Sequence, residues 1–160
     1  MNEWPAHSQE IVIFVGLQAS GKTSFYLQRF SLTHALVSKD AFPNARGKAK
    51  RQTREIAQAL GSGRSAVVDN TNVTLEARAE IIRQARSAGV RVVCFYFESK
   101  LSDCLVRNAS RIGSARVPDV GLRSTMSRLV LPSRGEGLDE LWYVRMNGAG
   151  GFEVLPWEDP

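Results

Sequence analysis

The sequence is poor in cysteine and has no long apolar run. Its 160 residues include two cysteines, Cys94 and Cys104, whose spacing fits neither a disulfide framework nor a metal-binding motif. No apolar run is long enough to cross a bilayer, and the start of the chain lacks the pattern of an export leader. These absences predict a reduced cytoplasmic protein without a membrane span, stabilised by one compact core over residues 1–160.

Acidic residues are absent from one strongly basic segment. The chain carries a net charge of +5 and a pI near 9.6, and much of the excess is concentrated in nine residues. These cations are Arg46, Lys48, Lys50, Arg51 and Arg54. Such a cluster is compatible with a polyanionic ligand, and the alternative is an ordinary solvated helix face.

Strand-like and helix-like segments alternate from the beginning of the chain. Short apolar segments rich in β-branched and aromatic residues predict strands at 11–15, 35–38, 66–69, 90–97 and 141–145. Helical patterns cover 22–30, 49–60, 75–88 and 102–111, and residues 113–118 and 132–137 have loop composition. Near-continuous apolar strands are typical of parallel sheets covered on both faces. The pattern therefore predicts an α/β fold, a three-layer α/β/α sandwich with a mostly parallel five-stranded sheet.

A complete phosphate-loop motif joins the first strand to the first helix. Its residues are Gly16, Leu17, Gln18, Ala19, Ser20, Gly21, Lys22 and Thr23. Glycines at both ends let backbone N–H groups face an anion, Lys22 can reach the β and γ phosphates, and Thr23 can ligate Mg²⁺. ATP and Mg²⁺ are the expected ligands. The motif alone leaves kinase, GTPase, motor and ATPase open.

Two aspartates follow neighbouring strands of the predicted sheet. Asp40 comes after the second strand, and Asp69 ends the third. In open α/β sheets ligands bind at the carboxyl ends of the strands, so Asp40 is a candidate general base and Asp69 a candidate metal carboxylate. The alternatives are a helix cap for Asp40 and a loop hydrogen bond for Asp69. Asn70 and Asn72 could contact substrate or merely brace the loop.

Three arginines follow the fourth strand, and residues 108–113 contain no acidic side chain. Arg107 and Arg111 are four residues apart on a predicted helix, and Arg116 lies in the loop beyond. Arginine meets phosphate oxygens with a planar fork, so residues of about 107–118 are expected to form a lid over the triphosphate. Arginines that only keep a helix soluble are the alternative.

These motifs together resemble the kinase domain of polynucleotide 5′-hydroxyl kinases. The resemblance covers nearly the whole chain and includes the motifs Ser38-Lys39-Asp40, Asp69-Asn70-Thr71-Asn72, Arg107-Asn108, Val117-Pro118-Asp119 and Glu136-Gly137. It implies that Asp40 is the general base, that Lys22 and Thr23 serve ATP·Mg, and that lid arginines stabilise the transferred phosphate.

The chain departs from the family pattern at several positions. Lys39 stands where arginine is usual, and Arg46 is the nearest substitute for the arginine that binds the 5′ end. Asp69 agrees with the animal members, whereas phage members carry the carboxylate at the position of Asn70. Ile112 occupies a lid position that is arginine in some members.

Three functions are consistent with these motifs. The first is an ATP-dependent kinase that phosphorylates a polynucleotide 5′-hydroxyl, with a single-stranded 5′ end as partner. The second keeps the chemistry but has a small molecule or nucleotide sugar as acceptor. The third is an ATP-binding switch or partner module with little turnover, which would not need the base Asp40. DNA against RNA and the oligomeric state are left open.

Overall fold

The protein is described from a computed structural model that covers residues 8–41 and 46–160. The strands are β1 (Glu10–Val15), β2 (His34–Val37), β3 (Ser65–Asp69), β4 (Arg91–Phe97), β5 (Glu140–Met146) and β6 (Phe152–Pro156). The helices are α1 (Lys22–Arg29), α2 (Lys48–Gly61), α3 (Leu75–Ala88), α4 (Leu101–Ala109) and α5 (Asp119–Arg128). In these two ranges no helix is both long and apolar enough to span a membrane.

One six-stranded sheet forms the centre of the molecule, in the order β2-β3-β1-β4-β5-β6. The first five strands are parallel, and β6 pairs with β5 in the antiparallel direction. The predicted α/β sandwich is confirmed, but the predicted number of five strands is wrong. β6 was not predicted because it is an edge strand that is only partly buried and ends in Pro156.

Both faces of the sheet are covered by helices. Side chains of α2 and α3 pack on one face, against Ile11, Ile13 and Val15 of β1. On the other face α1 contributes to a cluster of aromatic rings around Phe14, which lies 5.8 Å from Phe25 and 5.0 Å from Phe97 between ring centroids. Full burial on both faces explains why the central strands β1, β3 and β4 are continuous apolar runs.

The predicted helices are confirmed within one or two residues at each end. The α3 helix begins at the predicted cap, where the Thr74 hydroxyl accepts a hydrogen bond from the Ala77 N–H at 3.2 Å, and it ends at Gly89 with φ 69°. The α5 helix was not predicted. It buries only Leu122 and Thr125, so its apolar periodicity is too weak to indicate a helix.

A buried ion pair joins α3 to the loop before β5. Arg78 is fully buried, and its Nε and Nη2 donate to the two carboxylate oxygens of Glu136 at 2.7 and 3.2 Å. The two-bond geometry partly offsets the cost of removing both charges from water. Both cysteines are buried free thiols, and burial raises the pKa of each above its usual value.

Candidate active site

The phosphate loop lies at the carboxyl edge of the sheet, between β1 and α1. It is bound to both neighbouring strands, because the Gly16 N–H donates to the Thr71 carbonyl at 3.0 Å and the Leu17 N–H donates to Ser99 Oγ at 3.0 Å. Thr71 follows β3, and Ser99 follows β4. Hydrogen bonds on both sides therefore define the backbone conformation of the loop.

Glycine is required at both ends of the loop. A Cβ on Gly16 would lie 2.9 Å from Ser20 Oγ and 3.0 Å from the Cβ of Phe97. Gly21 has φ 98°, and a Cβ there would lie 2.6 Å from Cε of Met146. The first glycine therefore permits a close approach of two chain segments, and the second permits a left-handed backbone at the start of α1.

Lys22 is buried beneath the loop. Its Nζ donates to the carbonyls of Gly16 and Leu17 at 2.9 and 2.7 Å. Burial lowers the pKa of Lys22 to about 8, an effect opposed mainly by the nearby Asp69 carboxylate. The ammonium is thus held at the concave side of the loop, close to where the motif predicts phosphates to bind.

Thr23 and Asp69 form a pair of oxygen ligands next to Lys22. The Thr23 hydroxyl donates to Asp69 Oδ2 at 2.9 Å, and Asp69 is buried. Burial raises the pKa of Asp69, whereas Lys22 and the Thr23 hydrogen bond lower it. Two hard oxygen donors fit Mg²⁺, which takes few protein ligands and completes its shell with phosphate oxygens and water. Within residues 8–41 and 46–160 no cluster of three or more His, Cys, Asp or Glu side chains suggests a different metal.

Asp40 lies in a short 3-10 turn (Lys39–Ala41) that follows β2, and it is exposed. Its backbone N–H donates to Ser38 Oγ at 3.3 Å. Its negative charge acts on both Lys22 and Asp69, raising the pKa of each. The Asp40 carboxylate, the candidate base from the sequence, is therefore open to solvent, and its charge acts on the phosphate-loop lysine.

Asn70 connects the β3 tip to the turn that carries Asp40. Its Oδ1 accepts a hydrogen bond from the Lys39 N–H at 2.8 Å, and its Nδ2 donates to Gln52 Oε1 at 2.7 Å. Gln52 is buried on α2 and was not predicted to be a site residue. It is 18 positions from Asn70, and no local pattern relates the two. The Asn70 amide thus braces the turn, and the Lys39 side chain is partly exposed beside it.

Asn72 is buried and bonded to the sheet. Its Nδ2 donates to the Phe14 carbonyl at 2.9 Å and to the Val68 carbonyl at 3.3 Å. Its backbone has the left-handed φ of 46°, and its carbonyl accepts a bond from Nη1 of Arg78 at 3.0 Å. These contacts match the bracing alternative for Asn72, and they connect the buried Arg78–Glu136 pair to the site.

A side-chain clamp closes the base of the predicted lid. Asn108 is fully buried, its Nδ2 donates to the Val117 carbonyl at 2.6 Å, and its Oδ1 accepts from the Val117 N–H at 3.0 Å. Residues 109–116, called the lid loop below, lie between the two clamped positions. The loop is thereby fixed at its base, and most of its residues are exposed.

The three lid arginines occupy different environments. Arg107 Nε donates to the Ala19 carbonyl of the phosphate loop at 2.6 Å. Arg111 is exposed, bonds the Ala115 carbonyl at 3.3 Å and lowers the pKa of both Lys22 and Asp69 through its charge. Arg116 is exposed at the end of the lid loop. The first therefore contacts the loop backbone, and Arg111 is the lid arginine whose charge acts on the centre of the site.

The basic segment forms the turn and the first two turns of α2. Arg46 is exposed in the turn before the helix, and Gly47 at the N-cap has φ 73° and makes no side-chain cap. Cations crowd the helix start, where acids are normally preferred. The α2 helix, which carries most of these cations, contacts the turn that carries Asp40.

A phosphate loop at the carboxyl edge of a 2-3-1-4-5 parallel order defines a P-loop kinase-like domain. A family model described as an AAA domain matches residues 11–132, most of the chain, and the protein belongs to that family. The match includes the loop, both aspartates and the lid.

A curated relative from Schizosaccharomyces pombe, a bifunctional polynucleotide phosphatase/kinase, is 29% identical over 134 residues. The match covers 81% of this chain and 32% of the relative, so the chain spans about a third of that protein.

Solved structures share the fold at low identity. Kti12 from Chaetomium thermophilum, in complex with ADP-AlF3, has a TM-score of 0.68 at 15% identity, with 86% of this chain and 89% of that chain covered. A gluconokinase from Sinorhizobium meliloti has a TM-score of 0.60 at 18% identity, with 88% and 84% covered. At these identities the likeness shows the fold.

Proposed function

We propose that the protein is an ATP-dependent kinase that transfers the γ-phosphate to a hydroxyl, and that its acceptor is the 5′-hydroxyl of a polynucleotide. The observation that carries the proposal is the geometry of the phosphate loop at one sheet edge. Lys22 Nζ is bonded to the Gly16 and Leu17 carbonyls at 2.9 and 2.7 Å, and the neighbouring Thr23 hydroxyl is bonded to Asp69 Oδ2 at 2.9 Å. The charges of Asp69, Asp40 and Arg111, from three different segments of the chain, act on the pKa of Lys22. Phosphoryl transfer needs this combination of cations and carboxylates.

The phosphate loop accounts for ATP as the donor. Its backbone N–H groups and the start of α1 supply a positive concave surface for the β and γ phosphates. Lys22 would exchange its bonds to the Gly16 and Leu17 carbonyls for bonds to phosphate oxygens. A buried cation with no water around it interacts strongly with the transferring group.

Thr23 and Asp69 would hold Mg²⁺ beside the triphosphate. The ion supplies neutralisation of the charge that develops on the β and γ oxygens. Asp69 is suited to this role because it is buried yet already hydrogen bonded to Thr23, which orients its carboxylate.

Asp40 is assigned as the general base. Because it is exposed, an acceptor hydroxyl can reach it from solvent. The hydroxyl proton passes to the Asp40 carboxylate while the hydroxyl oxygen attacks the γ-phosphorus, and the bond to the departing ADP breaks. Arg111, with Arg116 on the same lid loop, would close on the transferring phosphate and exclude water. In this proposal residues 1–160 act as one kinase domain with a lid at about 107–118.

The acceptor assignment depends on charge and on the relative. The cations from Arg46 to Arg54 lie on or just before α2, the helix that contacts the Asp40 turn, and positive charge suits the phosphates that follow a 5′-hydroxyl. The 29% identical relative is described as a polynucleotide phosphatase/kinase. Lys39, Arg46 and the partly exposed Asn70 are proposed to line the acceptor site, whereas the buried Asn72 braces the β3 tip.

The test is a labelling assay with γ-labelled ATP. A short 5′-hydroxyl oligonucleotide is compared with the same oligonucleotide carrying a 5′-phosphate, and with a panel of nucleosides and sugars that includes gluconate. The proposal predicts label only on the 5′-hydroxyl strand, lost in Lys22→Met. Label on a panel member instead would identify a small-molecule kinase, and ATP binding without any transfer would identify a low-turnover module.

A further inference from the structure

Three consecutive residues of the phosphate loop are held by the pair of helices that follows β4. Leu17 is fully buried against Cys104 of α4 and Leu122 of α5. The Gln18 side chain is hydrogen bonded to α5, and the Ala19 carbonyl accepts a hydrogen bond from an α4 side chain. The tip of the loop is therefore packed against α4 and α5 on its outer side.

The Gln18 bond is to a buried hydroxyl. Gln18 Nε2 donates to Thr125 Oγ1 at 3.1 Å, and Thr125 Oγ1 donates in turn to the Gly121 carbonyl at 2.9 Å. Thr125 is 2% exposed, so its hydroxyl is shielded from competing water. This bond fixes the middle of the loop to α5.

The Ala19 bond controls a strained residue. Ala19 has φ 63°, a left-handed backbone that a residue with a Cβ adopts only when its surroundings impose it. Arg107 Nε donates to the Ala19 carbonyl at 2.6 Å, and Arg107 Nη2 contacts Cys104 Sγ at 3.4 Å. The guanidinium is thus held against α4 while it binds the loop.

The direction of one carbonyl fixes the direction of the next N–H. In a trans peptide the C=O and N–H groups point to opposite sides. Since the Ala19 carbonyl points outward to Arg107, the Ser20 N–H points to the concave side, where it donates to the Leu17 carbonyl at 3.3 Å. That carbonyl also receives the Lys22 ammonium at 2.7 Å. The Ser20 N–H therefore lies beside the lysine that is assigned to the phosphates.

The geometry points to Arg107 as a positioning residue that holds the Ala19–Ser20 peptide in its anion-binding orientation, rather than as a mobile lid arginine. Arg107 precedes the Asn108 clamp, so it belongs to the fixed body of α4, whereas Arg111 lies beyond the clamp in the lid loop. Of the three predicted lid arginines, Arg107 thus shapes the phosphate loop, whereas Arg111 and Arg116 can close over a bound nucleotide. This inference rests on the nucleotide-binding part of the proposed function.

Hydrogen exchange of the nucleotide-free protein tests the inference without catalysis. Arg107→Met is compared with Arg123→Met, which removes the same charge from an exposed position on α5. Arg107→Met is expected to accelerate exchange of the loop amides from Leu17 to Gly21 by on the order of tenfold, because a charge-assisted bond is lost. Arg123→Met should leave these amides unchanged.

Nucleotide affinity then separates positioning from direct contact. A distorted loop weakens ADP and ATP alike, by a similar factor of about tenfold, whereas a residue that touches only the γ-phosphate affects ATP alone. Equal losses with faster loop exchange support the inference. Wild-type loop exchange, or a loss confined to ATP, overturns it.

Thr125→Val is the second variant, in case Arg107→Met does not fold. It removes the hydroxyl that accepts the Gln18 hydrogen bond, while it keeps the Arg107 charge and nearly the shape of the Thr125 side chain. Exchange of the Gln18 and Ala19 amides should therefore also accelerate. Unchanged exchange in Thr125→Val would mean that α5 does not hold the loop. Failure of the wild-type protein to bind either nucleotide would contradict the proposed function, but the exchange result would still decide the role of Arg107.

Discussion

The two strand tips on one side of the phosphate loop are held very differently. At the β3 tip, Asp69, Asn70 and Asn72 are each hydrogen bonded to a different part of the fold. At the β2 tip, Asp40 is exposed in a short turn, which Asn70 braces through the Lys39 N–H. The donor half of the proposed reaction is thus defined by geometry, whereas the acceptor half is defined by charge and accessibility.

The largest effect is expected on the donor side, for Lys22→Met. Removing the buried ammonium should lower the rate of phosphoryl transfer by about 1000-fold, because Lys22 is the one charged side chain of the phosphate loop. Steady-state transfer from labelled ATP measures this. Lys100→Met removes a charge from an exposed position whose ammonium lies 3.4 Å from Glu98, and it serves as the control. Transfer by Lys22→Met within tenfold of wild type would contradict the proposed donor site.

On the acceptor side the corresponding change is Asp40→Asn. It should lower kcat by about 100-fold through loss of the base, while ATP affinity changes by no more than about threefold because the carboxylate contacts the acceptor. Rapid-quench transfer and equilibrium titration with ATP separate the two quantities. Glu76→Gln, an exposed carboxylate in the first turn of α3, is the matched control. A wild-type kcat in Asp40→Asn would contradict the assignment of Asp40 as the general base.

The β3 tip can also be tested through the buried Arg78–Glu136 ion pair, which contacts the Asn72 carbonyl. Glu136→Gln leaves the fully buried Arg78 without its countercharge and should destabilise the fold by about 3 kcal/mol in urea unfolding. Glu80→Gln breaks the exposed pair with Arg83 on the same α3 helix and should cost less than about 1 kcal/mol. Equal losses in the two variants would show that the buried pair does not stabilise this tip.

The smallest effect is a pH dependence of nucleotide binding. Lys22 has a pKa of about 8 in the free protein, and a bound phosphate would raise it. ADP affinity should therefore be level below pH 8 and fall above it, by up to about tenfold per pH unit, because the neutral amine must take up a proton to bind. Titration calorimetry in two buffers should detect that proton uptake, and Lys22→Met should abolish it. A flat profile in the wild-type protein would contradict the lowered pKa.

Local patterns in the sequence were sufficient for the sheet and the phosphate loop. The strands β1, β3 and β4 are continuous apolar runs because both of their faces are buried, and the loop is one contiguous motif. The partly exposed β6 and the weakly amphipathic α5 leave no such pattern.

Most of the bracing of the site is non-local and was not predictable. Arg78 and Glu136 are 58 positions apart, and Arg107 is 88 positions from Ala19. Local sequence patterns indicate neither contact, since only the fold brings these partners together. The roles of the predicted site residues stay predictions until they are tested by substitution.

The most direct measurement is a crystal structure of the complex with an unreactive ATP analogue. A base that accepts the proton of a hydroxyl in line with the γ-phosphorus must lie within about 6 Å of that phosphorus. We expect an Asp40 carboxylate oxygen at about this distance, with Lys22 bound to the γ-phosphate. An Asp40 carboxylate turned away and more than about 10 Å from the phosphorus would contradict the proposed mechanism.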